Sequence, residues 1–233
     1  MLGFNVMVSS GKVFKVRQQT DLQSIRDKLN SYKKEETYEN EQYNFTLLVE
    51  ISDLSLENNS LKGVFAEDII TYIYHHGEQK PVPRTLETSF VFSLHQNQLL
   101  LIVLEKKHRA NYIANKLSEV LFVGIGYIAE AKILPKTLRT FHEKNPKNTK
   151  IIFFDEVDIP NINKLSLYGS DLKDTNLYQN YLTHGEIWYV VVTSEEYGFI
   201  VGITRNSTVT IFNNIEKSDY ITFVVNEIFS LIE

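Results

Sequence analysis

Hydrophobic and polar positions along the chain change period several times, and the changes mark out the elements. Residues 4–8 and 12–16 are apolar-rich runs on either side of Ser9-Ser10-Gly11, which reads as a strand pair around a tight turn. Leu22, Ile25 and Leu29 recur at helical spacing behind Thr20 and Asp21, either of which can cap the first free amides. Residues 33–42 are charged and read as a loop, whereas residues 43–52 are dense in β-branched and aromatic side chains and read as a strand. A turn is expected at Asn58-Asn59, followed by a short strand. Residues 66–77 read as a helix closed by Gly77, with His75 and His76 at its carbonyl end, and the proline-bearing stretch 78–85 reads as a loop.

The clearest unit follows. Residues 88–94 and 98–105 form a hairpin around His95-Gln96-Asn97, and residues 107–122 then carry a largely apolar stripe of Tyr112, Ile113, Lys116, Leu117, Val120 and Leu121. Residues 123–133 return as a strand. A short helix and a polar loop with Asn145-Pro146 come next and suggest a boundary, giving domains over 1–135 and 149–233 joined by a 136–148 linker. Beyond it lie a strand at 150–158, a short strand at 163–169, and a helix over 171–185 capped by Asp171 or Asp174 and closed by Gly185. Strands at 186–195, 197–206 and 207–214 precede a final helix. The pattern predicts an α+β protein of antiparallel sheets with helices packed on one face. Residues 90–104 can be laid over 199–213, with Asn97 on Asn206, so the two halves share a ββα order that suggests an internal duplication. In the C-terminal part the order of elements (two strands, a short helix, three strands, a helix) is similar to that of the longin and roadblock regulatory modules, a resemblance of topology alone.

Composition narrows the classes of function. The 233 residues include no cysteine, which removes disulfides, thiolate metal sites and a cysteine nucleophile and fits a reducing compartment. A net charge of −5 disfavours a non-specific nucleic-acid binder, whose affinity comes from phosphate neutralisation. Lys106, Lys107, Arg109 and Lys116 are nevertheless the residues that such a role would use. The first residues lack the pattern of a signal peptide and no apolar run is long enough to span a membrane, so a cytoplasmic protein is expected.

Residues 150–160, which contain Ile151, Ile152, Phe153, Phe154, Asp155 and Glu156, resemble the Walker B strand of P-loop ATPases. The resemblance implies Mg²⁺ binding at Asp155 and water polarisation at Glu156. That family's glycine-rich phosphate loop has no counterpart in the chain, so ATP hydrolysis is not expected. Asp155, Glu156 and Asp158 remain candidate catalytic residues of a metal-dependent nuclease or phosphate-ester hydrolase, with Asp155 and Asp158 the candidate ligands. Glu105-Lys106-Lys107 contains the E-x-K element of restriction-type nuclease cores but lacks an aspartate on the preceding hairpin. Trp188 and Tyr189, adjacent on a strand and so expected on opposite faces, are the candidate interface residues. With catalytic motifs failing, the expectation is a non-enzymatic interaction, regulatory or scaffold module without a cofactor, binding a protein partner or itself.

Overall fold

The computed structural model describes residues 9–57, 59–144 and 149–233. The strand expected at 4–8, Asn58 and the Asn145-Pro146 pair lie outside them. Twelve strands and five α-helices occupy the described residues, and the defined strand registers are antiparallel, so the chain is α+β. Two compact units emerge. The first comprises residues 15–104 and 111–129; the second comprises the described part of 1–14 with 105–110 and 130–233.

In the first unit, strands β2 (Lys33–Glu39), β3 (Asn44–Glu57), β4 (Ser60–His75), β5 (Glu78–His95) and β6 (Gln98–Val103) pair in sequence order. Helix α1 (Leu22–Leu29) is capped by Asp21, which accepts from the Ser24 amide at 2.8 Å, and it packs on β3 and β4. Its Ile25 and Leu29 are buried, as are Ile113, Leu117 and Leu121 on α2 (Lys107–Phe122). Of the stripe read from the sequence, Ile113, Leu117 and Leu121 are thus buried, Lys116 and Val120 are half-buried, and Tyr112 stands 38% exposed.

Four sequence expectations fail in this unit, the simplest being the strand at 123–133, of which only residues 128–130 are strand. Residues 66–77 are not a helix: all but the last two belong to β4, because Ile69, Ile70, Thr71, Tyr72 and Ile73 lose less side-chain freedom in a strand. Gly77 (φ 81°) and His76 (φ 52°) close a hairpin instead of a helix. Residues 78–85 are strand rather than loop, with Pro81 and Pro83 paired to Tyr72 and Ile70. Proline is tolerated there because this stretch of β5 has β4 on one side only, β6 pairing beginning at Phe90. Residues 33–39 form β2, a polar edge strand whose Lys and Glu residues suit solvent on that edge.

The second unit orders its strands β1 (Ser9–Val16), β12 (Thr208–Ile211), β11 (Ile200–Thr204), β10 (Glu186–Thr193), β8 (Thr149–Asp155) and β9 (Leu165–Tyr168), and β7 (Ile128–Glu130) straddles the residue limits of the two units. Ser9, Ser10 and Gly11 are strand residues paired with Ile211, Thr210 and Val209, not a turn. The register separates two faces. Val13, Val209, Ile211, Val201, Ile203, Val190, Val192, Ile152 and Phe154 share one and are all fully buried. Helix α3 (Pro135–Lys144) packs on β10, α4 (Asn176–His184) brings Tyr178 to Phe154, and α5 (Lys217–Phe223) donates the Tyr220 hydroxyl to the Val209 carbonyl at 2.8 Å. The cap of α4 is Thr175 rather than Asp171 or Asp174, which belong to a preceding 3-10 turn; Gly185 follows its last residue as expected. The opposite face carries Ser10, Thr208, Thr210, Thr204, Tyr189, Phe153, Ser166 and Tyr168.

The ββα order recurs, as β5–β6–α2 and β11–β12–α5. The two hairpin turns differ in detail: Gln96 and Asn97 are both left-handed, whereas Ser207 takes that conformation in the second turn. Among the described residues no helix is long and apolar enough to cross a membrane.

Candidate functional site

The acidic end of β8 is held by an arginine from the β11–β12 turn. Arg205 donates to Asp155 at 2.7 Å, to Glu156 at 3.2 Å and to Glu186 at 3.3 Å. Strand pairing sets this up: Glu186 stands opposite Asp155 in the β10–β8 register, and Glu156, at φ 53°, turns the chain out of the strand. Gly185 lets the two strands meet, since a Cβ there would lie 2.9 Å from the Asp155 carbonyl oxygen. Burial pushes the Asp155 carboxyl above its ordinary range, and Arg205 opposes that rise. One oxygen of Asp155, Oδ1, is buried without a hydrogen-bond partner among the described residues.

Asp155 and Glu156 therefore converge with Glu186, and Asp158 does not join them. Its carboxylate lies 2.8 Å from the His184 ring at the end of α4. Among the described residues, no group of three or more His, Asp or Glu is placed to hold a metal ion. Sequence reasoning missed both Glu186 and Arg205. The available signal was a charge at the start of one strand and another at a hairpin turn, meaningful only once the register is known.

Beside this cluster lies an aromatic patch. Residues Ile187 and Tyr189 of β10 pair with Phe154 and Phe153, which leaves Trp188 as the extra residue of a β-bulge. The bulge overturns the expectation that Trp188 and Tyr189 face opposite ways: their ring centroids lie 5.6 and 5.4 Å from that of Phe153. Tyr168 packs edge-on against the same ring and is 66% exposed, and the Lys164 ammonium stands 4.8 Å over Trp188. A pocket of about 250 Å³ adjoins the patch, lined by Lys107, Asp155, Trp188, Thr204, Arg205 and Thr208 among others.

Tyr189 reaches this position across Gly202, where a Cβ would fall 2.4 Å from the Tyr189 hydroxyl. Gly202→Ala is expected to displace that ring and destabilise the fold by about 1–2 kcal/mol, as overpacking does. The emission of the single tryptophan, next to Tyr189, should shift in the same variant, and unchanged emission and stability would refute the packing described.

The basic residues are dispersed. Lys107 and Lys116 are nine positions apart on α2, which places them on opposite sides of the helix. Lys107 lines the pocket of the second unit. Lys116 pairs with Glu119 at 3.2 Å and lines a first-unit pocket that also holds Glu36, Glu67 and Asp68. Lys106 precedes the helix, its amide bonded to Glu105, and Arg109 is half-buried in the first turn. Compared with known proteins, the chain matches no family model and no curated sequence.

Proposed function

We propose that the protein is a non-enzymatic interaction module of the regulatory or scaffold kind, that it associates with itself, and that the surface around Trp188 and Tyr189 receives a protein partner. We place it in the cytoplasm, where a cysteine-free chain needs no disulfides. Arg205 carries this reading. The position that a divalent cation would take between Asp155 and Glu156 is filled by the chain's own guanidinium, bonded to three carboxylates. The chemistry left facing outward is aromatic: Tyr168, Phe153, Trp188 and Tyr189, with Lys164 alongside. Tyrosine, tryptophan and arginine are the side chains that dominate the energetics of protein interfaces.

Sedimentation across a wide concentration range, paired with melting in the presence of Mn²⁺, tests the proposal. Concentration-dependent association and a melting temperature indifferent to Mn²⁺ are expected. A monomer at every concentration, stabilised by Mn²⁺ in a manner abolished by Asp155→Asn, would favour a metal-dependent phosphate-ester hydrolase instead.

A further inference from the structure

We propose that self-association runs through the free edge of β4, with Ile69–His75 of one copy pairing antiparallel to the same segment of a second copy. This inference rests on the reading that the protein associates with itself, and it names the surface. The β3–β4 register ends at Val49 and Glu67. At the next position Asp68 ends it chemically: one carboxylate oxygen accepts from the Leu48 amide at 2.9 Å and the other from the Thr85 hydroxyl at 2.6 Å. Beyond Asp68, β4 continues for seven residues paired to β5 alone.

The two edges of this ribbon are unlike. The Ser89 carbonyl accepts from the Leu104 amide, so it points away from β4. The β4–β5 register has no slip, so Pro81 and Pro83, at even spacing from Ser89, turn their nitrogens the same way. The prolines thus blunt the outer edge of β5. Their partners Tyr72 and Ile70, and Tyr74 beyond them, turn amide and carbonyl toward the other edge, where no backbone partner meets them among the described residues. That edge carries no charge from Ile69 to Tyr74, and Tyr72, Ile73 and Tyr74 are 55%, 49% and 79% exposed. The Tyr72 hydroxyl meets that of Tyr38 on β2 at 3.3 Å, a contact between side-chain ends that leaves the backbone groups open, and an uncharged, β-branched edge with open backbone groups is what solitary proteins avoid.

A second copy fits it by symmetry. An antiparallel two-fold centred on Tyr72 sets Ile70 opposite Tyr74 of the other copy, and all three outward-facing residues fall in hydrogen-bonded pairs, about six bonds in total. The same register brings Asp68 opposite His76 of the second copy, a complementary pair when the imidazole is charged. Because the prolines close the other edge, pairing stops at two copies and does not grow into a fibre.

The test uses the full chain. Tyr72→Pro removes an outward amide while leaving the β5 ladder intact, and should raise the dimer dissociation constant about 30-fold or more, the equivalent of two ladder hydrogen bonds. Circular dichroism and Trp188 emission should stay those of the wild type. As a positive readout independent of that variant, Tyr72→Cys gives a protein with one thiol, since the chain has none. A short bismaleimide should link it to itself rapidly, and should leave Val123→Cys, at a 96% exposed position, largely unlinked. A wild-type dimer that Tyr72→Pro leaves intact and Tyr72→Cys fails to crosslink would overturn this edge while keeping self-association. A wild type that is monomeric throughout would overturn both.

Discussion

Replacing Glu130 with glutamine is expected to cost the fold about 3 kcal/mol. The reason lies in Lys12. Its side chain is fully buried in β1, opposite Thr208, and its ammonium is paired with the Glu130 carboxylate, which is 37% exposed. The ring of Phe14 lies 5.5 Å from the same ammonium. Burial lowers the Lys12 pKa and the Glu130 partner opposes the fall. Removing one member of such a pair weakens the compensation of a charge held out of water, and breaking a buried pair costs about 3–5 kcal/mol; the partial exposure of Glu130 argues for the lower end. Removing both members costs far less, because the desolvation penalty disappears with the charge. Lys12→Met combined with Glu130→Gln should therefore recover most of the loss in urea denaturation.

The pH dependence of the Glu130 variant supplies a second check. A lysine whose folded-state pKa lies below 10.5 binds more protons in the unfolded chain, so its penalty is full below the folded value and is relieved as pH rises through it. Glu130→Gln should accordingly regain stability toward alkaline pH. A single variant within about 0.5 kcal/mol of wild type would mean that Lys12 reaches water by a small rearrangement.

Where the sequence was legible, local pattern and tertiary packing agreed. Helix α2 falls on the predicted residues because Ile113, Leu117 and Leu121 of its largely apolar stripe are also buried. The β5–β6 hairpin was readable because Gln96 and Asn97 occupy the left-handed positions that a two-residue turn requires. Residues 66–77 misled because Ile69, Tyr72 and Ile73 fit a helical spacing as well as a strand, and the pairing of β4 with β5 decided between them. The candidate site was legible only at its acidic end. Asp155 and Glu156 announce a charged strand terminus, but Arg205 lies fifty residues away from Asp155, and only the β10–β8 and β10–β11 registers bring it there. The bulge at Trp188 left no mark in the sequence, and it alone changes which way the two interface aromatics face.

Acidification should destabilise the second unit through His142, and this is the other large effect expected. His142 lies on α3, fully buried, with Nδ1 2.7 Å from the Thr149 hydroxyl and its ring edge-on to Tyr178 at 5.1 Å. Its Nε2 has no hydrogen-bond partner among the described residues. Burial lowers its pKa from 6.5 to about 4; Glu143 opposes this, while Lys173 and Arg139 add to it. The unfolded chain therefore takes the proton first. The contribution to stability is complete above pH 6.5, falls away as pH drops toward 4, and is wholly lost below that, a total of about 3 kcal/mol. Two carboxyls held above their ordinary range by burial, Asp155 and Glu227, act with the opposite sign, gaining protons on folding as pH falls. The wild-type curve alone thus mixes these terms, and the difference from His142→Asn separates them. That variant keeps a polar atom near Thr149 but cannot titrate. It should be less stable than wild type at pH 7.5, yet lose less between pH 6.5 and 4.5 in urea titrations followed by Trp188 emission. Parallel slopes for the two proteins would show that His142 reaches a partner for its proton inside the fold, and the buried neutral imidazole would have to be abandoned.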